Sequence, residues 1–167
     1  SLADGVYSLK AVLMDAAGNI GTAGSALSVT IDTTAASLSG KTLDLATVSD
    51  SGTSSTDNIT NQTLPTWDVD ISGNAVLVNG NPAPLQANDI VYIYNKADLT
   101  GGVPNAGATP IATATVSGTD VTAGKITLTA TSAFTQGTST LVAIAKTQAG
   151  SLGSASPDFT MTVDTTA

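Results

Sequence analysis

The chain has 167 residues, 41% of them hydrophobic, enough to bury one core and, by ordinary domain sizes, to form one domain or slightly more. Its five basic residues are all Lys (10, 41, 96, 125, 146), its thirteen acidic residues are all Asp, and Glu, Arg, His and Cys are absent, giving a net charge of −8. This balance excludes the basic patch that nucleic acid requires, the attraction to an anionic membrane surface, thiolate metal sites, disulfides and every His-dependent catalytic set, and it favours cations.

In chain order, residues 6–14 (VYSLKAVLM) alternate and then run apolar, which predicts a strand buried on at least one face. A turn follows at Asp15-Ala-Ala-Gly-Asn19, and 26–31 (ALSVTI) alternates as its partner strand. Residues 33–40 are short and polar, as in a joint between domains. Strands are predicted at 41–48 and 64–71, with Pro65 placing the start of the second at an edge, and between them runs the long polar loop 49–61, SDSGTSSTDNITN. Trp67, the single tryptophan, is a core or inter-sheet anchor. Residues 72–88 are loop-rich, with a short strand expected at 75–78.

The stretch 89–94 (DIVYIY) is the most strand-like of all, and 95–109 is a Gly/Pro-rich excursion. Further strands are expected at 110–116, 125–131, 139–146 and 159–163. No window has helical periodicity, and no apolar run approaches the roughly 20 residues of a membrane span. Short strands separated by turn signals predict an all-β, antiparallel β-sandwich.

The chain also repeats itself. Sliding it by 132 positions, the separation of Asp32 and Asp164, lays 4–35 on 136–167 without a gap, with identities that include Gly5/Gly137, Leu9/Leu141, Gly18/Gly150, Gly21/Gly153 and the closing Asp-Thr-Thr-Ala. A domain-sized period predicts a tandem array. On this reading residues 1–35 are the last two strands and linker of a truncated repeat, and residues 36–167 are one complete repeat ending in the next linker. A hairpin alone is marginal in water, so the first one is expected to borrow a neighbour.

The segments LADGVYSL, DAAGN, LSVTIDTTA and SDSGTSSTDNITN, in that order, resemble the bacterial immunoglobulin-like repeats of large, type I-secreted (RTX-type) biofilm-associated surface adhesins. The resemblance implies an immunoglobulin-like sandwich and an extracellular location on the bacterial cell surface. It also implies a structural role in adhesion and biofilm formation, in which repeats hold an adhesive tip away from the cell and calcium stiffens their joints. Its partners would be the neighbouring repeats of the same chain. Hard cations such as Ca²⁺ take about six to eight oxygens from carboxylates, carbonyls and Asn side chains, and the expected joints concentrate those groups.

In such a sandwich the loop after the first strand and the end of the last strand share the exit end. Asp50 and Asp57 are therefore expected beside Asp164, with Asn58 and backbone carbonyls completing the shell. Asp32 would serve the joint with the preceding repeat, where Asp15 and Asn19 are weaker candidates. The turn aligned with 15–19 is 147–151, which carries no carboxylate.

The remaining candidates are weaker. Asp68 and Asp70 share one strand face, where solvation is the simpler explanation than paired glycosidase carboxylates. Asp98 and Asp120 read singly as turn residues. Asn58-Ile-Thr60 and Asn61-Gln-Thr63 fit the glycosylation pattern by chance composition. Catalysis has no constellation to stand on, so the chain is read as no enzyme. The rival reading is a carbohydrate- or protein-binding sandwich that uses the 72–88 and 95–109 loops with Tyr92 and Tyr94 as an exposed aromatic stripe, although cross-strand packing is the commoner use of such residues.

Overall fold

The computed structural model describes residues 2–3, 5–34, 36–73 and 85–166. The strand expected at 75–78 lies outside them. The strands are β1 (Gly5–Leu9), β2 (Leu27–Ile31), β3 (Leu43–Leu45), β4 (Ile59–Thr60), β5 (Thr66–Asp70), β6 (Ile90–Asn95), β7 (Leu99–Thr100), β8 (Val103–Pro104), β9 (Ala112–Thr115), β10 (Lys125–Thr129), β11 (Gly137–Lys146) and β12 (Phe159–Val163). Most coincide with the expected segments, with ends shifted by a few residues. The first and the third are cut back most: the apolar run after Leu9 is not strand, apart from a bridge between Met14 and Ile20, and of 41–48 only Leu43–Leu45 is strand.

Two sheets face each other, one in the order β10-β5-β3 and one in the order β4-β12-β11-β6-β9. Every pairing is antiparallel except β4 on β12, which is parallel. Period-two alternation decides which side chains go inward. Leu43, Leu45, Trp67, Val69, Ile126 and Leu128 come from the smaller sheet and pack against Val91, Ile93, Leu141, Ala143, Ala145, Met161 and Val163 of the larger. This is a β-sandwich closed around one apolar core. Trp67 is fully buried between the sheets, its ring edge-on to Phe134 at 5.7 Å, as expected of an anchor.

On the outer side of β5 the carboxylates are neutralised individually. Asp68 accepts from Lys125 Nζ at 2.7 Å and Thr127 Oγ1 at 2.6 Å, and Asp70 lies 3.7 Å from Lys41 Nζ. These are strand-surface ion pairs.

Two features escape the reading by periodicity. Among the described residues a single short helix, α1 (Gly118–Ala123), is present, together with a one-turn 3-10 segment at Lys96–Asp98. Helix α1 is made by its ends. Ser117 and Asp120 form a reciprocal capping box, and Gly124 closes the helix in the left-handed region at φ 68°. The excursion after β6 also folds back on the outer face of the larger sheet. Leu99 and Ala108 cover Tyr92, Tyr94, Val142 and Ile144 there.

The hairpin β1–β2 is a structural copy of β11–β12. Gly5 pairs with Ile31 through to Leu9 with Leu27, and Gly137 with Val163 through to Leu141 with Phe159, each pair displaced by the same 132 positions. The Met14–Ile20 bridge has its counterpart at Lys146–Leu152. The bonds Gly21 N–H to Leu13 C=O and Gly24 N–H to Ala11 C=O reappear as Gly153 to Ala145 and Ser156 to Ala143.

Surroundings separate the two copies. Leu141 is fully buried, whereas Leu9 is 47% exposed and Leu13 85%. Between hairpin and sandwich the chain crosses directly over Gly153, where a Cβ would sit 1.6 Å from the Ala36 carbonyl oxygen, and Leu38 N–H then bonds the Ser154 carbonyl at 2.9 Å. Only glycine permits that crossing, and the aligned residue in the first hairpin is also glycine, Gly21.

Candidate metal centre

The polar loop between β3 and β5 leaves the first strand through a tight turn. Ser49 N–H and Asp50 N–H both bond the Ala46 carbonyl, at 2.7 and 3.0 Å. The buried Ser49 hydroxyl knits the base of the loop together. It accepts from Thr66 N–H at 2.8 Å and contacts Thr66 Oγ1 at 2.7 Å and Gln62 Oε1 at 3.1 Å. Gln62 Nε2 in turn donates to the Val48 carbonyl at 2.7 Å. This network holds Asp50 in a fixed place on the outgoing limb.

On the return limb, Asp57 makes an Asx turn to Ile59 N–H, and Asn58 adopts φ 60°, a left-handed conformation that Asn tolerates better than most residues. The chain then enters β4. Asn58 C=O accepts from Thr162 N–H at 2.9 Å and Thr60 C=O from Asp164 N–H at 2.8 Å, so β4 is stitched to the end of the last strand.

Between the two limbs lies an unsatisfied polar set. Asp50 is 5% exposed, and both its carboxylate oxygens are shielded from solvent with no hydrogen-bond donor. Asn58 Oδ1 is likewise buried and unpartnered. Burial pushes the Asp50 carboxyl above the usual carboxylate value. The amide of Asn58 opposes the rise without reaching hydrogen-bonding geometry, and the Asp57 and Asp44 charges add to it. Buried carboxylates in folded proteins are normally paired or bound to metal, because leaving one bare costs the full desolvation of the charge. A pocket of orphaned oxygens with a second carboxylate beside it has the donor chemistry of a hard cation site. Among the described residues no three carboxylates converge as a ready-made cluster, so Asp50, Asp57 and Asn58 would need backbone carbonyls and water to complete a shell.

The other expected carboxylate ligands each have oxygens engaged in their own turns. Asp164 lies close by in the chain path, at the end of β12, but its Oδ1 is engaged by Thr166 N–H at 3.1 Å and Thr166 Oγ1 at 3.0 Å. Asp32 makes the equivalent turn, accepting from Thr34 N–H at 3.2 Å. In Asp15 one oxygen accepts from the amides of Ala17 and Asn19 and the other from Asn19 Nδ2, so this pair closes its own turn. The Asn19 side chain, followed by its backbone amide, holds the Asp15 carboxyl below the usual range.

Asp89 was not among the candidates. It is buried, with Oδ1 accepting from Gln148 N–H at 3.0 Å and Oδ2 from Gln86 N–H at 2.8 Å. Burial raises its pKa against those two bonds, and the Asp32 charge raises it further, which places Asp32 within electrostatic reach. Standing alone before a strand, Asp89 carries no sequence signal beyond that of a turn residue.

Tyr92 and Tyr94 do not form an exposed stripe. Tyr94 is buried and Tyr92 half-buried, with ring centroids 5.9 Å apart beneath the 95–109 excursion. Among the described residues no helix is long and apolar enough to cross a membrane. Neither a scan against protein-family models nor a search of curated proteins finds a match to this chain.

Proposed function

We propose that the chain is a piece of a tandem array of immunoglobulin-like repeats, a structural extender of a secreted bacterial surface adhesin in which bound calcium stiffens the rod. In this reading residues 1–35 end one repeat and residues 36–167 form the next. The observation that carries it is the β1–β2 hairpin, which reproduces β11–β12 register pair for register pair but lacks the neighbours that bury its counterpart. A hairpin with that register and an apolar face left open is what remains when a sandwich is cut before its last two strands.

Strand order supports the immunoglobulin-like assignment. A sheet of the first, second and fifth principal strands (β3, β5, β10) opposes one that holds the last two strands beside β6 and β9. The parallel edge segment β4 beside the last strand fits the same plan. The orphaned oxygens of Asp50 and Asn58 beside Asp57 support calcium. When bound, the ion would supply the positive charge that the pocket lacks. The residues themselves position the oxygens and shut out solvent. The rival binding reading draws no support from Tyr92 and Tyr94, which are packed under their own loop.

Thermal melting of the metal-stripped protein, with and without calcium or magnesium, tests the reading. Extracellular modules bind calcium at roughly 10⁻⁴ to 10⁻³ M. Calcium at ten times the dissociation constant adds about 1.4 kcal/mol, or about 3–6 °C in a chain of this size. The rise should be selective for calcium and should vanish in Asp57→Ala. An unchanged melt would remove the metal from the proposal.

A further inference from the structure

We propose that the cation site is complete within a single repeat, built from Asp50, Asp57 and Asn58 without Asp164, and that it works as a latch holding the edge segment β4 onto β12. The inference rests on the reading of this pocket as a cation site. It departs from the expectation that one ion is shared by carboxylates across a linker.

Three observations carry it. First, the unpartnered oxygens belong to the two limbs of one loop: Asp50 on the outgoing limb, and Asn58, with Asp57 before it, on the return limb. The Ser49 network ties the base of both limbs through Gln62, and Ser51 Oγ accepts from Asn61 N–H at 2.9 Å and donates to Asn61 Oδ1 at 2.8 Å, whereas the Asp50 carboxylate and the Asn58 side-chain oxygen have no such tie. An ion between the limbs therefore adds a cross-link at Asp50 and Asn58, where the hydrogen bonds leave one missing.

Second, the return limb runs straight into β4, a strand of two residues and the one parallel pairing in the sandwich. Its hold on β12 includes the bonds from Thr162 N–H to Asn58 C=O and from Asp164 N–H to Thr60 C=O. So short an edge has little stability of its own. Asn58 contributes both a candidate ligand oxygen and one of the two carbonyls, so the site and the strand pairing share a residue.

Third, Asp164 already spends a carboxylate oxygen on its own turn to Thr166. The linker residues Thr165 and Thr166 are further tied to Gln136 at 3.2 and 3.3 Å. The ion thus reaches the exit linker through the β4–β12 bonds and not through a ligand donated by it. With the ion absent, Asp50 and Asp57 repel, the return limb lifts, and the edge of β12 opens where the chain leaves the domain.

The test pairs calorimetric calcium titration with residue-by-residue amide exchange on the full chain. Asp164→Ala should leave calcium affinity within about twofold, and Asp57→Asn should lower it at least tenfold. In calcium at ten times its dissociation constant, exchange of the Thr162 and Asp164 amides should slow by about tenfold. The Val116 amide, bonded to Asp89 C=O near the opposite edge of the same sheet, should be unchanged. If Asp164→Ala abolishes binding, the ion is shared with the linker and the single-repeat site is wrong. If calcium binds and the two amides do not respond, the latch is wrong although the site stands. If the unmutated chain takes up no calcium, the cation reading itself falls, a result distinct from both.

Discussion

Asp50 is a carboxylate whose charged form the fold penalises, and the penalty has a definite pH signature. Burial, reinforced by Asp57 and Asp44, raises its pKa in the folded state above the ordinary value of 3.8. The folded protein then binds more protons than the unfolded chain between 3.8 and the raised value, so stability falls as pH rises through that interval. Asp89, raised first by burial, acts with the same sign, whereas Asp70 acts oppositely. Burial also pushes Asp70 up, but the hydroxyl and amide of Ser72 and the Lys41 charge more than offset it. In chelator, Asp50→Asn should melt at or above the parent near pH 7 and lose part of the parent's gain in stability on acidification. If Asp50 ligates calcium as proposed, the order should reverse in saturating calcium, because the variant lacks that ligand. Calorimetric melts from about pH 7 to pH 4 check both arms, and a variant equally destabilised with and without calcium would refute the assignment.

The same scale shows what residue types disclose. A polar loop holding two carboxylates marks Asp50, Asp57 and Asn58 as candidates in the sequence, and the shielding of the Asp50 and Asn58 oxygens is legible only in the structure. Asp-Thr-Thr fits a metal ligand and an Asx turn equally well, and the Thr166 contacts add that Oδ1 of Asp164 makes the turn. Asp89 was invisible because its burial comes from Gln86 and from Gln148, 59 positions along the chain.

At the scale of elements, period-two alternation located the strands, since one face of each sheet is buried and a slip of one residue would invert it. It missed the elements made by local bonding. Helix α1 is one of these, fixed by the Ser117–Asp120 box and by Gly124, and β4 is another, two residues paired only across an edge. Gly124 gives the sharpest test. Its φ of 68° disfavours any side chain, its carbonyl accepts from Ile71 N–H at 2.9 Å, and an added Cβ would lie 2.8 Å from Ser72 Cβ. Gly124→Ala should therefore cost about 2 kcal/mol, roughly 1 from the left-handed backbone and the rest from overlap with Ser72. A denaturant titration with unchanged slope measures it. A loss below about 0.5 kcal/mol would mean that the helix end and the Ser72 turn shift apart freely.

The whole molecule joins a sandwich whose sheets bury each other's apolar faces to a hairpin whose apolar side chains are largely exposed, and the difference lies in what each copy touches. The outer edge of β11 carries β6, whereas among the described residues nothing pairs with the same edge of β1. Tyr7 spans its own hairpin's start with a bond to the Ala3 carbonyl, while Val6, Leu13, Met14 and Ile20 face solvent. Among the described residues, the sandwich core draws nothing from those before Ala36. Deleting residues 1–34 should accordingly shift the melting temperature by no more than about 1 °C, because no described residue of that segment belongs to the sandwich core and removal of Asp32 relieves a like charge beside Asp89. The intact chain should in turn self-associate as concentration rises, through the bare edge and apolar face of its hairpin, and the truncated chain should remain monomeric. Paired calorimetry and sedimentation on the two forms separate the outcomes. A truncated chain that melts several degrees lower would show that the hairpin supports the sandwich, which contradicts an array in which each repeat closes on its own last two strands.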